Sequence, residues 1–259
     1  MTAKICLITG ASSGIGHATA LELVRAGHTV YGAARRVRQV PGGHALAMDV
    51  TNPADVEHAV RTVLDEQGRI DVLVNNAGIG LYGAVEDVPL DQARHLFEVN
   101  LFGVAHLTRL VLPHMRERGS GSIVNVSSIA GEIALPLGGW YHASKHALEA
   151  LTDSLRQEVK AFGVNVVLIQ PGLIKTEFEQ DIREISGRGA YRDLAQAMAE
   201  RAESSTGGSD PAVVATAIRK AVESAHPRPR HPVGHLARTV LWLNRLLPDR
   251  AFDKLVTKR

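Results

Sequence analysis

Tyr141 and Lys145 stand four positions apart in "GGWYHASKHALEAL" (138–151), a stretch whose apolar spacing predicts an amphipathic helix. Residues at that interval share a helix face, so a phenol and an amine can point at one small site. Such a pair is common on solvated helices, but here Ser128 ends a Val- and Ile-rich run and adds a hydroxyl. Together the three suit proton transfer to an oxygen that gains negative charge. The phenol gives the proton, the hydroxyl donates a hydrogen bond, and the ammonium steadies the phenolate. A phenol with a pKa near 10 is a poor acid or base at neutral pH, so useful function implies a depression of about two or three units. An ammonium about 5 Å away contributes roughly 3 kcal/mol at an effective dielectric of about 20, the size required.

The elements that must carry these residues alternate. Short Val- and Ile-rich runs at 4–9, 28–34, 44–48, 70–75, 121–127 and 164–170 read as strands. Helical periods near 14–26, 53–67, 90–117 and 140–162 separate them, followed by helices near 210–224 and 234–246. Asn52-Pro53 and Val88-Pro89 mark two helix starts. The pattern predicts one α/β domain over 1–259: a doubly wound parallel sheet with helices on both faces and chemistry at the carboxyl ends of its strands. The rhythm weakens after 170, so 177–259 reads as a substrate-side extension, with polar Glu177–Gly208 either a lid or a surface loop. "HPRPRHP" at 226–232 reads as a stiff connection.

"ITGASSGIG" (8–16) joins the first strand to the first helix. Gly10, Gly14 and Gly16 there allow backbone amides, with Ser12, Ser13 and Ile15, to approach an anion at a helix N-terminus. With its Thr9-Gly10-x-x-x-Gly14-x-Gly16 spacing, this loop resembles the cofactor loop of the short-chain dehydrogenase/reductase family. Further matches follow in family order: "MDV" (48–50), "NNAG" (75–78), Asn100, "VSS" (126–128), Tyr141 with Lys145, and "PG" (171–172) followed by Thr176. They cover about residues 4–178. "GIGLYG" and "ALEAL" are similar to the steroid 17-beta and retinol dehydrogenase branch.

The resemblance implies a Rossmann-like fold and hydride transfer between a nicotinamide and a carbonyl or alcohol. Its catalytic set would be Asn100, Ser128, Tyr141 and Lys145, with Asn100 anchoring a water in the proton path. Asp49 and Val50 would hold the adenine. Asn75, Asn76, Ala77 and Gly78 would flank the ribose and nicotinamide region; Pro171, Gly172, Ile174 and Thr176 would complete the cofactor site, and Lys145 would also hold the nicotinamide ribose. Helices 90–117 and 140–162 would form a homodimer or homotetramer contact.

The second strand ends in Ala34, where NAD-binding enzymes usually carry a carboxylate that would repel a 2′-phosphate. Arg35 and Arg36 follow and suit a phosphate, so NADP(H) is expected, with NAD(H) an alternative because Ser13 stands where some NADP-dependent relatives have a basic residue. The apolar "ALPLGGW" before Tyr141, with Leu135 and Trp140, predicts a hydrophobic ketone, aldehyde or secondary alcohol as substrate.

Composition excludes other classes. A net charge of +2, 45% hydrophobic and 22% charged residues give no polyanion-binding signature over the 259 residues, so no nucleic-acid partner is expected. The single cysteine, Cys6, forbids an internal disulfide and suits the cytoplasm. Neither an export leader nor an integral membrane span is indicated, although the 234–248 helix interleaves Trp and Leu with Arg. His142 and His146 are four apart without an H-E-x-x-H pattern; they read as surface residues, and no metal is expected. Two further readings are a non-catalytic NADP(H)-sensing regulator, against which the intact Ser128, Tyr141 and Lys145 argue, and a sugar-nucleotide epimerase, against which the glycine spacing argues.

Overall fold

The structure is a computed structural model describing residues 2–36, 39–175, 189–204 and 208–257. Seven parallel strands form one sheet in the order β3-β2-β1-β4-β5-β6-β7. They are β1 (Ile5–Thr9), β2 (Thr29–Ala34), β3 (His44–Ala47), β4 (Val72–Asn75), β5 (Gly121–Val126), β6 (Val164–Pro171) and β7 (Arg230–Val233). The expected doubly wound α/β architecture is present. β1, β4 and β5 read as near-continuous apolar runs because both sheet faces are covered.

Alternate strand residues serve opposite layers. Leu7, Leu73 and Ile123 pack with Val56 and Val63 of α2 (Pro53–Gln67) and with Leu107, Val111 and Met115 of α4 (Gly103–Arg118). Cys6, Ile8, Val72 and Val124 face the other layer, against Leu23 of α1 (Gly14–Arg25) and Val214 and Ile218 of α7 (Pro211–Glu223). Asn52 caps α2 by accepting the Ala54 N–H at 3.0 Å, with Pro53 at the first helical position. Leu90–Arg118 is long and apolar enough to cross a membrane, but its Leu107, Val111 and Met115 are among the core residues just named.

Three elements depart from the expectation. The 90–117 helix is α3 (Leu90–Phe97) and α4 joined by one π-helical turn, Glu98–Phe102, that contains Asn100. The "HPRPRHP" connection becomes β7, paired with β6 so that Pro232 faces Gln170. β7 is an edge strand, where a residue without an N–H costs no inner ladder bond. Of the polar Glu177–Gly208 stretch, residues 177–188 and 205–207 lie outside the described residues, and the remainder includes a helix, α6 (Arg192–Ser204); the tail continues past α8 (Ala237–Leu246) into α9 (Asp249–Thr257). The catalytic helix of the sequence reading is α5 (Gly139–Glu158).

Candidate active site

A cleft of about 1950 Å³ runs along the carboxyl ends of the strands. It begins at Arg35 and Arg36, passes the glycine loop and Asn76–Gly78, and reaches Ser128, Tyr141 and Lys145.

The glycine loop is locked by its neighbours. Thr9 Oγ1 accepts the N–H groups of Asn76 at 3.0 Å and Ala77 at 2.9 Å, and Asn76 Nδ2 donates to the carbonyls of Thr9 at 3.0 Å and Gly10 at 3.2 Å. Gly10 has a φ of +67°, and a methyl group on Gly16 would lie 2.1 Å from the Gly10 carbonyl oxygen. Gly16 itself therefore packs the helix against the loop, while Gly10, Ser12, Ser13, Gly14 and Ile15 face the cleft. α1 begins at Gly14 with no side-chain cap from Ser13, directing its first amides toward that space.

The two asparagines of "NNAG" divide the work. Asn75, expected beside the cofactor, is buried behind the site instead. Its Nδ2 donates to Asn125 at 2.9 Å, Asn125 donates to Thr152 at 2.9 Å, and Thr152 donates to the Leu148 carbonyl, tying β4, β5 and α5 together. Inward alternation at the end of β4 decides this, because the next residue, Asn76, turns toward the loop.

At the β2 end of the cleft, Ala34 is buried and Arg35 and Arg36 are exposed on the rim. The Asp49 carboxylate accepts from Thr51 N at 2.9 Å and Thr51 Oγ1 at 2.7 Å. Burial pushes its pKa up, but the Thr51 bonds and the nearby Arg35 and His95 charges outweigh that and hold it below the ordinary value. Val50, Pro171, Gly172 and Ile174 also line the cleft; Thr176 lies outside the described residues.

At the other end Ser128 starts a short helical turn, Ile129–Gly131, and accepts the Ala130 N–H at 3.1 Å. That bond fixes the hydroxyl oxygen and leaves its proton to be donated. Ser128 is hydrogen-bonded to the Tyr141 phenol. Lys145 Nζ lies 6.0 Å from the Tyr141 ring centroid and donates to the Val126 carbonyl at 3.1 Å. Asn100 holds the loop opposite: its Oδ1 accepts from Ile79 N at 2.9 Å, and its Nδ2 donates to Ile79 O at 3.0 Å and Ser144 Oγ at 3.1 Å. These side-chain bonds tie Asn100 to the Ile79 backbone and to Ser144. The π-helical turn supplies the extra residue that aims it inward.

Three further expectations require correction. Lys145 does not depress Tyr141 in the protein by itself: burial pushes the phenol up to about 12, offset in part by the Ser128 hydrogen bond. Burial also lowers Lys145, to about 8, against the opposing charge of Glu149. Both groups lose water, and each charged form is penalised. Secondly, Trp140 is absent from the cleft wall. It packs with Leu96, Ala130 and Tyr141, while Leu135 does line the cleft. Thirdly, His142 is buried, not on the surface: its Nδ1 bonds the carbonyls of Ile133 at 2.7 Å and Ala130 at 3.2 Å, as the protonated nitrogen must. His146 is exposed, as expected.

Sequence reading missed the rest of the wall, to which Ile133, Met198, Leu236, Val240 and Val256 contribute. The 234–246 periodicity covered Leu236 and Val240, but no local signal marked Ile133, Met198 or Val256 as cleft residues.

The family model described as short chain dehydrogenase matches residues 4–186. The chain belongs to the short-chain dehydrogenase/reductase family. Its similarity includes the branch containing steroid and retinol dehydrogenases. This family member is 38% identical over 255 residues to 3-ketodihydrosphingosine reductase of Bacteroides thetaiotaomicron, covering 96% of this chain and 95% of that protein. It is 33% identical over 275 residues to the NADPH-dependent 3-dehydrocapnine reductase of Ornithobacterium rhinotracheale, covering 98% and 96%. A solved short-chain dehydrogenase from Streptomyces avermitilis superimposes with a TM-score of 0.83 at 38% identity, covering 93% of this chain and 92% of that one. The dehydrogenase is thus an oxidoreductase of the CH–OH/carbonyl class, in a family that uses NAD or NADP.

Proposed function

We propose that the protein is an NADP(H)-dependent reductase of hydrophobic ketones or aldehydes, able to run in reverse on secondary alcohols, with Tyr141 as its general acid and base. One observation carries this: the hydrogen-bonded Ser128 and Tyr141 hydroxyls sit beside the Lys145 amine at the end of the cleft that starts in the glycine loop. That loop fits a dinucleotide, since its positive-φ Gly10 and Gly14 leave backbone amides facing the cleft at a helix N-terminus. Gly10, Ser12, Ser13, Gly14 and Ile15 would hold the pyrophosphate, Asp49 and Val50 the adenine, and Asn76–Gly78 with Lys145 the ribose side. Arg35 and Arg36 would pair a 2′-phosphate, and the absence of a carboxylate at Ala34 favours NADP(H) over NAD(H).

When bound, the reduced nicotinamide supplies the hydride. Ser128 donates to the substrate oxygen and orients it. Tyr141 delivers the proton, and its burial keeps the phenol protonated until charge develops on that oxygen. The Lys145 ammonium then steadies the phenolate. Asn100 fixes the Ile79 backbone opposite. Ile129, Ile133, Leu135, Met198 and Val240 give the substrate end an apolar lining, favouring a hydrophobic carbonyl. The reductase names of both relatives above favour the reducing direction.

Exposed Phe102 and Leu151, on the π turn and α5, support a homodimer or homotetramer through these helices. The free, buried Cys6 thiol is compatible with a cytoplasmic location.

Purified protein should consume NADPH, read as loss of nicotinamide absorbance, when given hydrophobic ketones or aldehydes. Tyr141→Phe should lower turnover by about 10²–10⁴-fold while NADPH still binds by fluorescence. Near-native turnover in that variant would falsify the mechanism.

A further inference from the structure

We propose that Glu149 is a positioning residue for Lys145: its buried carboxylate, one helical turn along α5, is the counter-charge that keeps the amine an ammonium beside Tyr141. This rests on the role given to Lys145 above.

Tyr141, Lys145, Glu149 and Asp153 follow one another at intervals of four on α5 and so share a face, and the first three are buried. A buried ammonium is costly unless a negative charge compensates it. Among the described residues, α5 places Tyr141 and Glu149 toward Lys145 Nζ, and β5 places the Val126 carbonyl there. The Asn100 amide oxygen and Lys145 Nζ both lie close to Gly78. Among the described residues, Glu149 is the carboxylate whose charge acts on the amine.

Glu149 is itself held from two strands. Gln170 Nε2 of β6 donates to its Oε1 at 3.1 Å, and Arg230 Nε of β7 donates to its Oε2 at 3.1 Å. Burial pushes the carboxyl up and the Glu132 charge adds to this, while Ser127, Arg230 and Gln170 oppose them. Arg230 also reaches Asp153 at 2.5 Å and Glu132 at 3.6 Å, so one guanidinium serves three carboxylates. Gln170 bonds Glu132 at 2.6 Å, and Arg245 of α8 pairs with Glu132 at 2.9 Å. A glutamine at 149 keeps one acceptor oxygen and loses the charge, whereas an aspartate keeps both acceptors and the charge; an ammonium four residues away needs the charge.

The test is a lysine 13Cε NMR titration of wild type, Glu149→Gln and Glu149→Asp, with the Lys145 signal assigned by its loss in Lys145→Arg. Glu149→Gln should lower the Lys145 midpoint by about one pH unit, the scale of one charge a helical turn away. Glu149→Asp should restore most of it. The high-pH limb of the kcat profile for carbonyl reduction should move down with the midpoint. An unchanged midpoint in Glu149→Gln overturns the proposal. If that variant does not fold by circular dichroism, Glu149→Ala decides: a midpoint lowered by a similar amount supports the role, and a midpoint equal to wild type removes it. The midpoint is read without turnover, so it stands apart from failure of the proposed reduction. Conversely, an active enzyme with an unmoved midpoint leaves the reductase standing without Glu149.

Discussion

Arg35 and Tyr141 line opposite ends of the cleft, and in the proposed function they divide its selectivity. Arg35 is exposed beside Asp49, whose carboxylate it helps to keep ionised. A guanidinium in that position has a second anion to meet only when the ligand carries a 2′-phosphate. Arg35→Ala should therefore raise KM for NADPH about tenfold or more and leave KM for NADH nearly unchanged, a loss of roughly 1.4 kcal/mol or more. Equal increases for the two cofactors would remove Arg35 as the discriminator. At Tyr141, burial keeps the proton on the phenol and Ser128 eases its departure, which suits an acid poised for an oxyanion.

The junction of β1 and α1 depends on close approach more than on any side chain. A methyl group on Gly16 would meet both the Gly10 carbonyl at 2.1 Å and Asn76 Nδ2 at 2.4 Å, and the second of these is the clasp that holds the loop. Gly16→Ala must move one or the other, at a cost typical of overpacking, about 1–3 kcal/mol. NADPH affinity, followed by fluorescence titration, should fall by about fivefold to two-hundredfold, with far-ultraviolet circular dichroism unchanged. Wild-type affinity would show that the loop has room the geometry denies. The same scale explains Asn100, which needs a π-helical turn to reach Ile79 from within a helix otherwise built to fill the core.

Across the whole molecule, the burial of Lys145 costs stability at neutral pH. Lys145 titrates at about 8 when folded against 10.5 for the free side chain. Between those values the unfolded chain binds more protons, so stability rises with pH, and below pH 8 the buried ammonium costs roughly 3 kcal/mol. Tyr141 has the opposite effect: its folded value of about 12 lies above 10, so the folded state binds more protons and stability falls as pH rises from 10 to 12. In urea titrations without cofactor, Lys145→Met should be more stable than wild type at pH 7 by about that amount, and the gap should shrink by pH 10. A gap of equal size at both pH values would mean that Lys145 titrates normally.

Much of this was legible from residues alone. The glycine loop, the four-residue interval of Tyr141 and Lys145 and the alternation of strands and helices are written in short windows of chain, because turn geometry, helix period and pleat act between near neighbours. Burial and pairing across the sheet decided what remained. They turned Asn75 inward and Asn76 to the loop, withdrew Trp140 from the cleft, seated His142 beneath Ile133 and Ala130, and made an edge strand of a proline-rich linker. They also raised the phenol where a neighbouring cation alone would lower it, since the cost of losing water is set by every element packed around a group, and a one-dimensional pattern does not contain that enclosure.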